Sequence, residues 1–249
     1  DDYTGAFIPW VTHPTNATRT QVTSTYYDEY LNTTVDGYFS PLGQQELRTR
    51  VASITREEIF DGDEDTYDFG THFSYDIHGN VNVIIQENND LDVSAPNEKF
   101  KKITYEYDLI SGNVNKVNYQ PGRSDQYYHR YCYDADNRIT KVETSRDNYI
   151  WDTDAKYFYY EHGPLARTEV GEKQVAGSDY AYTLQGWIKG VNSNTLTASL
   201  DIGKDAELVG GLNEHFATDA YGYSLGYFDG DYTATDDDFF CCSTNIFSV

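Results

Sequence analysis

Aromatic and polar residues alternate in short runs through the middle of the chain, as in Phe73-Ser74-Tyr75, Tyr105-Glu106-Tyr107 and Tyr131-Cys132-Tyr133. A period of two is that of a β-strand with one covered face. Each run ends on a tyrosine, usually followed by aspartate, then two variable residues, a glycine or asparagine, and two apolar positions three residues apart. The copies are Tyr75-Asp76 with Gly79, Val81 and Ile84; Tyr107-Asp108 with Gly112, Val114 and Val117, one residue longer; Tyr133-Asp134 with Asn137, Arg138, Ile139 and Val142; and Tyr182 with Gly186, Ile188 and Val191. A degenerate copy begins at Tyr160, keeps Gly163, Leu165 and Arg167, and reads as one residue short in the turn.

The pattern predicts β-hairpins with a repeated corner. The aspartate caps the turn by accepting backbone N–H groups. Gly79, Gly112, Asn137 and Gly186 take the position that needs a positive φ, and the chain returns as a second strand. A two-stranded unit cannot bury its own apolar face, so neighbouring hairpins must stack. The expected fold is therefore all-β: stacked antiparallel hairpins forming an extended, curling sheet. Helix is expected only as a turn or two near Gln44–Ser53 and Ala206–Phe216.

Charge changes the picture of partners. Lysine and arginine number 18 against 41 aspartates and glutamates, so the net charge is 18 − 41 = −23. Such a surface repels phosphate backbones and anionic headgroups, which excludes nucleic acid as a partner and disfavours membrane surfaces. Aromatics at 16% are too many for a disordered acidic chain. No apolar run approaches the length of a membrane-spanning helix, so membrane insertion is not expected. The lack of methionine, at position 1 included, predicts a processed piece or an incomplete segment. Cys132, Cys241 and Cys242 form an odd set that gives no disulfide framework and reads as small buried side chains or free thiols.

Candidate chemistry is sparse. Asp61, Asp63 and Asp65 place carboxylates on alternate residues, as a calcium ion needs, without the glycine and distant glutamate of an EF-hand; the competing reading is a solvated acidic turn. A second acidic stretch is Asp229-Gly230-Asp231 with Asp236-Asp237-Asp238. The six histidines show no HxH or HxxxH pairing and read as turn or strand decoration. No serine elbow, phosphate loop or zinc-protease helix appears, so no catalytic residue is named and enzymatic activity is not expected. Sequons at Asn16 and Asn32 would matter only in a glycosylating host.

Tyr133-Asp134-Ala135-Asp136-Asn137-Arg138-Ile139 resembles the signature of the Rhs/YD-repeat family, with asparagine in place of glycine. Longer phrases, including 71–81, 105–112, 154–167 and 182–192, are similar to the Rhs proteins of Bacteroidota. The resemblance covers roughly residues 20 to 232. It implies one band of a β-cocoon, a hollow shell that in this family commonly encloses a C-terminal toxin; related shells occur in insecticidal toxin complexes and teneurins. Residues 1–232 are then a single YD-repeat shell segment, clearest over 71–192, and 233–249 an acidic, cysteine-containing tail. The family's self-cleavage motif contains aspartate-proline, and none of Pro9, Pro14, Pro41, Pro96, Pro121 and Pro164 follows an aspartate.

The expected function is structural: a segment of a secreted or cell-surface bacterial shell that encloses or presents a toxin, its partners being the rest of the shell or further copies of itself. The alternative is an extracellular adhesin or filament subunit that assembles through strand edges and binds glycans or neighbouring copies.

Overall fold

A computed structural model describes residues 18–39, 42–60, 66–91, 96–173, 175–192, 201–206, 211 and 213–227. The described residues form thirteen strands: β1 (Thr20–Tyr27), β2 (Val51–Ile59), β3 (Phe69–Tyr75), β4 (Val81–Asn88), β5 (Phe100–Tyr107), β6 (Val114–Tyr119), β7 (Tyr127–Tyr133), β8 (Ile139–Ser145), β9 (Asp152–Tyr159), β10 (Leu165–Val170), β11 (Ala176–Tyr182), β12 (Ile188–Val191) and β13 (Tyr223–Ser224). Two short helices, α1 (Thr33–Phe39) and α2 (Pro96–Lys99), complete the set. Strand order in the sheet is chain order, β1 to β13, and the paired strands are antiparallel. The all-β, antiparallel hairpin architecture expected from the alternation is the one found. No helix among the described residues is long and apolar enough to cross a membrane, which says nothing of a β-barrel.

The residues fall into two compact units, one of 1–105 with 119–121, the other of 106–118 with 122–249. In the first unit, α1 lies on β4 and supplies half of a small apolar core: Val35 and Phe39 pack with Ile85 and Phe100, and Tyr38 stacks on Phe100 at 4.1 Å. Propensity alone disfavours this helix, because Thr33, Thr34 and Val35 are β-branched and Gly37 is flexible. Its ends explain why it forms. Asn32 caps it, with the Val35 N–H donating to Asn32 Oδ1 at 2.8 Å, and Lys102 Nζ donates to the carbonyls of Tyr38 and Phe39 at its C-terminus. Burial of Val35 and Phe39, one turn apart, does the rest.

Residues 44–50 are a loop that leads into β2, so the helical turn expected at Gln44–Ser53 is not there. The Gln44 side chain instead donates to the carbonyls of Ala52 and Phe73, which ties the loop to two strands. Of Ala206–Phe216, the described residues form turns rather than helix.

In the second unit, fully buried apolar side chains are few among the described residues, Tyr128, Val191 and Phe216 being the examples, and most strand residues are half-buried. That is the signature of a sheet with aromatic, semi-wet faces, and it explains the abundance of tyrosine.

Candidate functional site

The hairpin corners share one backbone geometry. In the first, the Asp76 N–H donates to Asn80 O (2.9 Å) and the Gly79 N–H to Asp76 O (3.1 Å). The same two bonds recur as Asp134 to Arg138 and Asn137 to Asp134, and as Thr183 to Trp187 and Gly186 to Thr183. The longer corner closes with Asp108 to Asn113 and Gly112 to Asp108. The φ angles are +95° at Gly79, +75° at Gly112, +62° at Asn137 and +85° at Gly186. No atom would crowd a Cβ at Gly112 or Gly186, so the left-handed backbone rather than space demands glycine there.

The corner carboxylates are tuned by these turns. Asp134 Oδ1 accepts the N–H groups of Asp136 and Arg138, and Asp108 Oδ1 those of Ile110 and Ser111. Backbone donation, from Arg138 and Ser111 first, holds both carboxyls below the ordinary aspartate range. At Asp76 burial pushes the other way, but donation from Asn80 and His78 outweighs it.

The degenerate copy needs correction. The residue that closes its strand is Tyr159, not Tyr160: Tyr160 donates its N–H to Pro164 O, and Gly163, at φ +116°, donates to Tyr160 O. Tyr160 therefore stands where the other corners have aspartate or threonine, and the turn has full length. A tyrosine doublet lets the frame slip by one in the sequence; the backbone bonds remove the ambiguity.

The repeated tyrosine has a further use. Tyr75 Oη donates to Val51 O, Tyr133 Oη to Val114 O and Tyr159 Oη to Ile139 O, at 2.7–2.9 Å. In each case the acceptor opens a strand of the preceding pair, β2, β6 or β8. Arg138 adds a link between corners, stacking over Tyr159 at 4.5 Å and donating to Gly163 O at 3.2 Å. Asn113 donates to Asn137 Oδ1 in the same manner. After four of the corners the return strand skips a residue in its pairing, at Asn82, Thr140, Ala166 and Lys189, a bulge that raises local twist. The repeated residues thus bind hairpin to hairpin.

Two buried polar clusters were not visible in the sequence. In the first unit, Ser53 Oγ lies 2.8 Å from His72 Nδ1, and His72 Nε2 lies 3.3 Å from Glu87 Oε2. The Tyr67 hydroxyl donates to Glu87 at 2.7 Å, and Lys99 Nζ pairs with it at 3.2 Å. Burial raises Glu87, but His72, Tyr67 and Lys99 overcome this and hold it below the usual range; Tyr67 is pushed up by burial and then by Glu87. Serine, histidine and carboxylate in a row resemble a hydrolytic triad. Here, however, serine meets Nδ1 and the acid Nε2, the reverse of that mechanism, and Ser53 and His72 are 0% exposed. The cluster can hold β2, β3 and β4 together; it cannot receive an acyl substrate at Ser53.

In the second unit, Arg167 of β10 pairs with three carboxylates: Glu169 at 3.2 Å, Asp179 of β11, and Asp205 at 2.6 Å. Its guanidinium also stacks over Phe216 at 4.5 Å. Asp201 and Asp219 join the group, Asp201 Oδ2 accepting the Asp205 N–H, and Asn192 bridging Asp219 Oδ1, Tyr221 O and the Asp179 N–H. Burial, followed by neighbouring carboxylates, pushes Asp219 up to about 7. Burial also lifts Asp179 to about 6 against the pull of Arg167, and raises Asp205. Gly177 and Gly203 make room, since a Cβ at either would strike Arg167 together with Asp205 or Asp179. The spacing Asp201-x-Gly203-x-Asp205 was the available sequence signal.

Asp61, Asp63 and Asp65, the expected calcium ligands, lie outside the described residues, as do the 229–238 stretch, Cys241 and Cys242. Cys132 is a free, half-buried thiol on β7.

No family model matches the chain, and no curated protein matches it. Solved structures do. One is TcdB2-TccC3 without its hypervariable C-terminal region, 12% identical over 68% of this chain and 9% of that one, with a TM-score of 0.41. Another is TcdB2-TccC3, 13% identical over 60% of this chain and 9% of that one, at 0.40. A third is a Tc holotoxin pore of Photorhabdus luminescens bearing a mutation in TccC3, 12% identical over 69% of this chain and 10% of that one, at 0.32. The chain thus spans about a tenth of the length of these proteins.

Proposed function

We propose that this chain is a structural segment of a secreted Rhs/YD-repeat shell, whose parent protein encloses or presents a C-terminal toxin. The observation that carries the reading is the repeated corner in a sheet whose strand order is chain order, with three of the hairpins bonded to the strand pair before them through a tyrosine hydroxyl. Such a construction grows by adding hairpins and has no natural length, which suits a wall rather than a pocket. Its residues serve backbone turns and cross-strand ties, and none is assigned a catalytic duty.

Strands β1 and β13 end the strand order among the described residues, and an edge strand offers backbone N–H and C=O groups to a further strand. The test is amide hydrogen exchange on the chain alone and within the full-length parent. Amides of β1 and β13 should exchange fast in the dilute chain and become protected in the parent, and a toxin domain in the parent should resist added protease. Full protection of both strands in a dilute monomer, or a freely digested C-terminal domain, would overturn the reading. Protection gained by the chain alone with rising concentration would replace it with a filament subunit.

A further inference from the structure

Three carboxylates, Glu169, Asp179 and Asp205, contact the guanidinium of Arg167, and Asp201 and Asp219 adjoin them through the Asp205 N–H and the Asn192 side chain, a formal charge of −5 + 1 = −4 with all ionised. Burial of one charge requires compensation close by, and one guanidinium compensates one carboxylate. Arg167 turns its donors to Asp179 Oδ2, Asp205 Oδ1 and Glu169 Oε1. The other side of the group is what remains to be explained.

There, Asp201 Oδ1 and Asp205 Oδ2 are sealed from solvent and accept no hydrogen bond, in side chains whose residues are 6% and 1% exposed. Asp219 Oδ2 is in the same condition. Carboxylate oxygens of Asp179, Asp201 and Asp205 lie within 4.8 Å of one another. Buried oxygens without donors are costly, and a cation amid Asp179, Asp201 and Asp205 would satisfy the free oxygens of Asp201 and Asp205 together. The donor set is oxygen only, with no histidine or cysteine, which suits a hard cation rather than zinc or copper. Carboxylates from a strand and from loops well apart in the chain favour the variable geometry of calcium over the strict octahedron of magnesium.

We propose that Asp179, Asp201, Asp205 and Asp219 form a calcium site, which fastens the loop of residues 201–205 and the segment around Asp219 to strands β10 and β11. Arg167 is then the counter-charge that lets the aspartates converge before the ion arrives. Gly177 and Gly203 are the small residues that let them approach. Asn192, which holds Asp219 Oδ1 and Tyr221 O, orients the fourth carboxylate. The site is separate from the acidic stretch 61–65.

The test uses the full chain, stripped with EDTA and dialysed. Titration with calcium chloride should give one site lost in Asp201→Asn, with affinity down by roughly 100-fold. At calcium about 100-fold above the dissociation constant, the melting temperature should rise by roughly 5 °C. Asp201→Asn should melt near the stripped wild type and show no calcium shift; should it fail to fold, Asp219→Asn replaces it. A variant with Asp61, Asp63 and Asp65 all changed to Asn should keep the shift and the titration. The proposal fails if calcium leaves melting and heat unchanged, if the Asp201→Asn response equals the wild type, if the triple variant loses it, or if magnesium binds as tightly as calcium. None of these results alters the shell reading, which is tested by strand exchange.

Discussion

The two buried polar clusters solve the same problem in opposite ways. In the first unit a single carboxylate, Glu87, collects a histidine, a phenol and an ammonium, and Lys99, with its side chain 15% exposed, keeps contact with water. Positive and negative charge balance, and Glu87 is held below its usual range. In the second unit one guanidinium is shared by three carboxylates, one of which, Asp179, is pushed up by burial to about 6, and the adjoining Asp219 to about 7. Both clusters join neighbouring strands, yet only in the second do the carboxylates outnumber the cationic side chains that face them. The difference teaches that a buried polar network closed by protein donors reads as a fastener, whereas one left with surplus charge implies a missing ion or proton.

The largest effect should come from removing the shared cation. Arg167→Leu leaves Glu169, Asp179 and Asp205 facing one another in a buried setting, and should cost about 3–5 kcal/mol in urea unfolding. A loss under about 1 kcal/mol would mean that the second cluster is not held together by charge. Glu87→Gln should cost less, about 1–3 kcal/mol, because the amide oxygen still accepts from Tyr67 and Lys99 can turn to solvent. Equal losses for the two variants would erase the distinction between a balanced and an overloaded cluster.

The smallest effect is in acid and has opposite signs in the two buried clusters. Without added cation, the raised carboxyls of Asp179 and Asp219 bind a proton more tightly folded than unfolded. Their contribution to stability therefore increases as pH falls from about 7 towards the unfolded value of 3.8. Glu87 has a depressed folded value, so its contribution is present above its unfolded value of 4.5 and is lost as pH falls below it. The corner aspartates Asp76, Asp108 and Asp134 behave like Glu87, losing their contribution below 3.8. Residue-resolved hydrogen exchange between pH 7 and 5 should show amides of β11 gaining protection while those of β4 stay level. The same slope in both strands would contradict the assignment of charge surplus to the second unit alone.

The corners were legible because every determinant lies within a few residues. A capping carboxylate, a left-handed glycine or asparagine and an alternating strand are local, so Gly79, Gly112, Asn137 and Gly186 stood out without knowledge of their surroundings. Where the local code was ambiguous, as in the Tyr159-Tyr160 doublet, the sequence misplaced the frame by one residue. Helix α1 went unseen because Thr33, Thr34, Val35 and Gly37 carry no helical preference; contacts with Ile85 and Phe100, far along the chain, selected it.

By itself, then, the order of residues determined the all-β class, the hairpin period, the turn conformations and the acidic net charge. Only the tertiary structure decided which polar residues meet. Ser53, His72 and Glu87 span 34 positions, and Arg167 reaches an aspartate 38 residues away. An isolated aspartate or histidine looks the same in sequence whether solvated or sealed beside another charge. Its chemistry depends on burial and on the neighbours that the register of distant strands supplies.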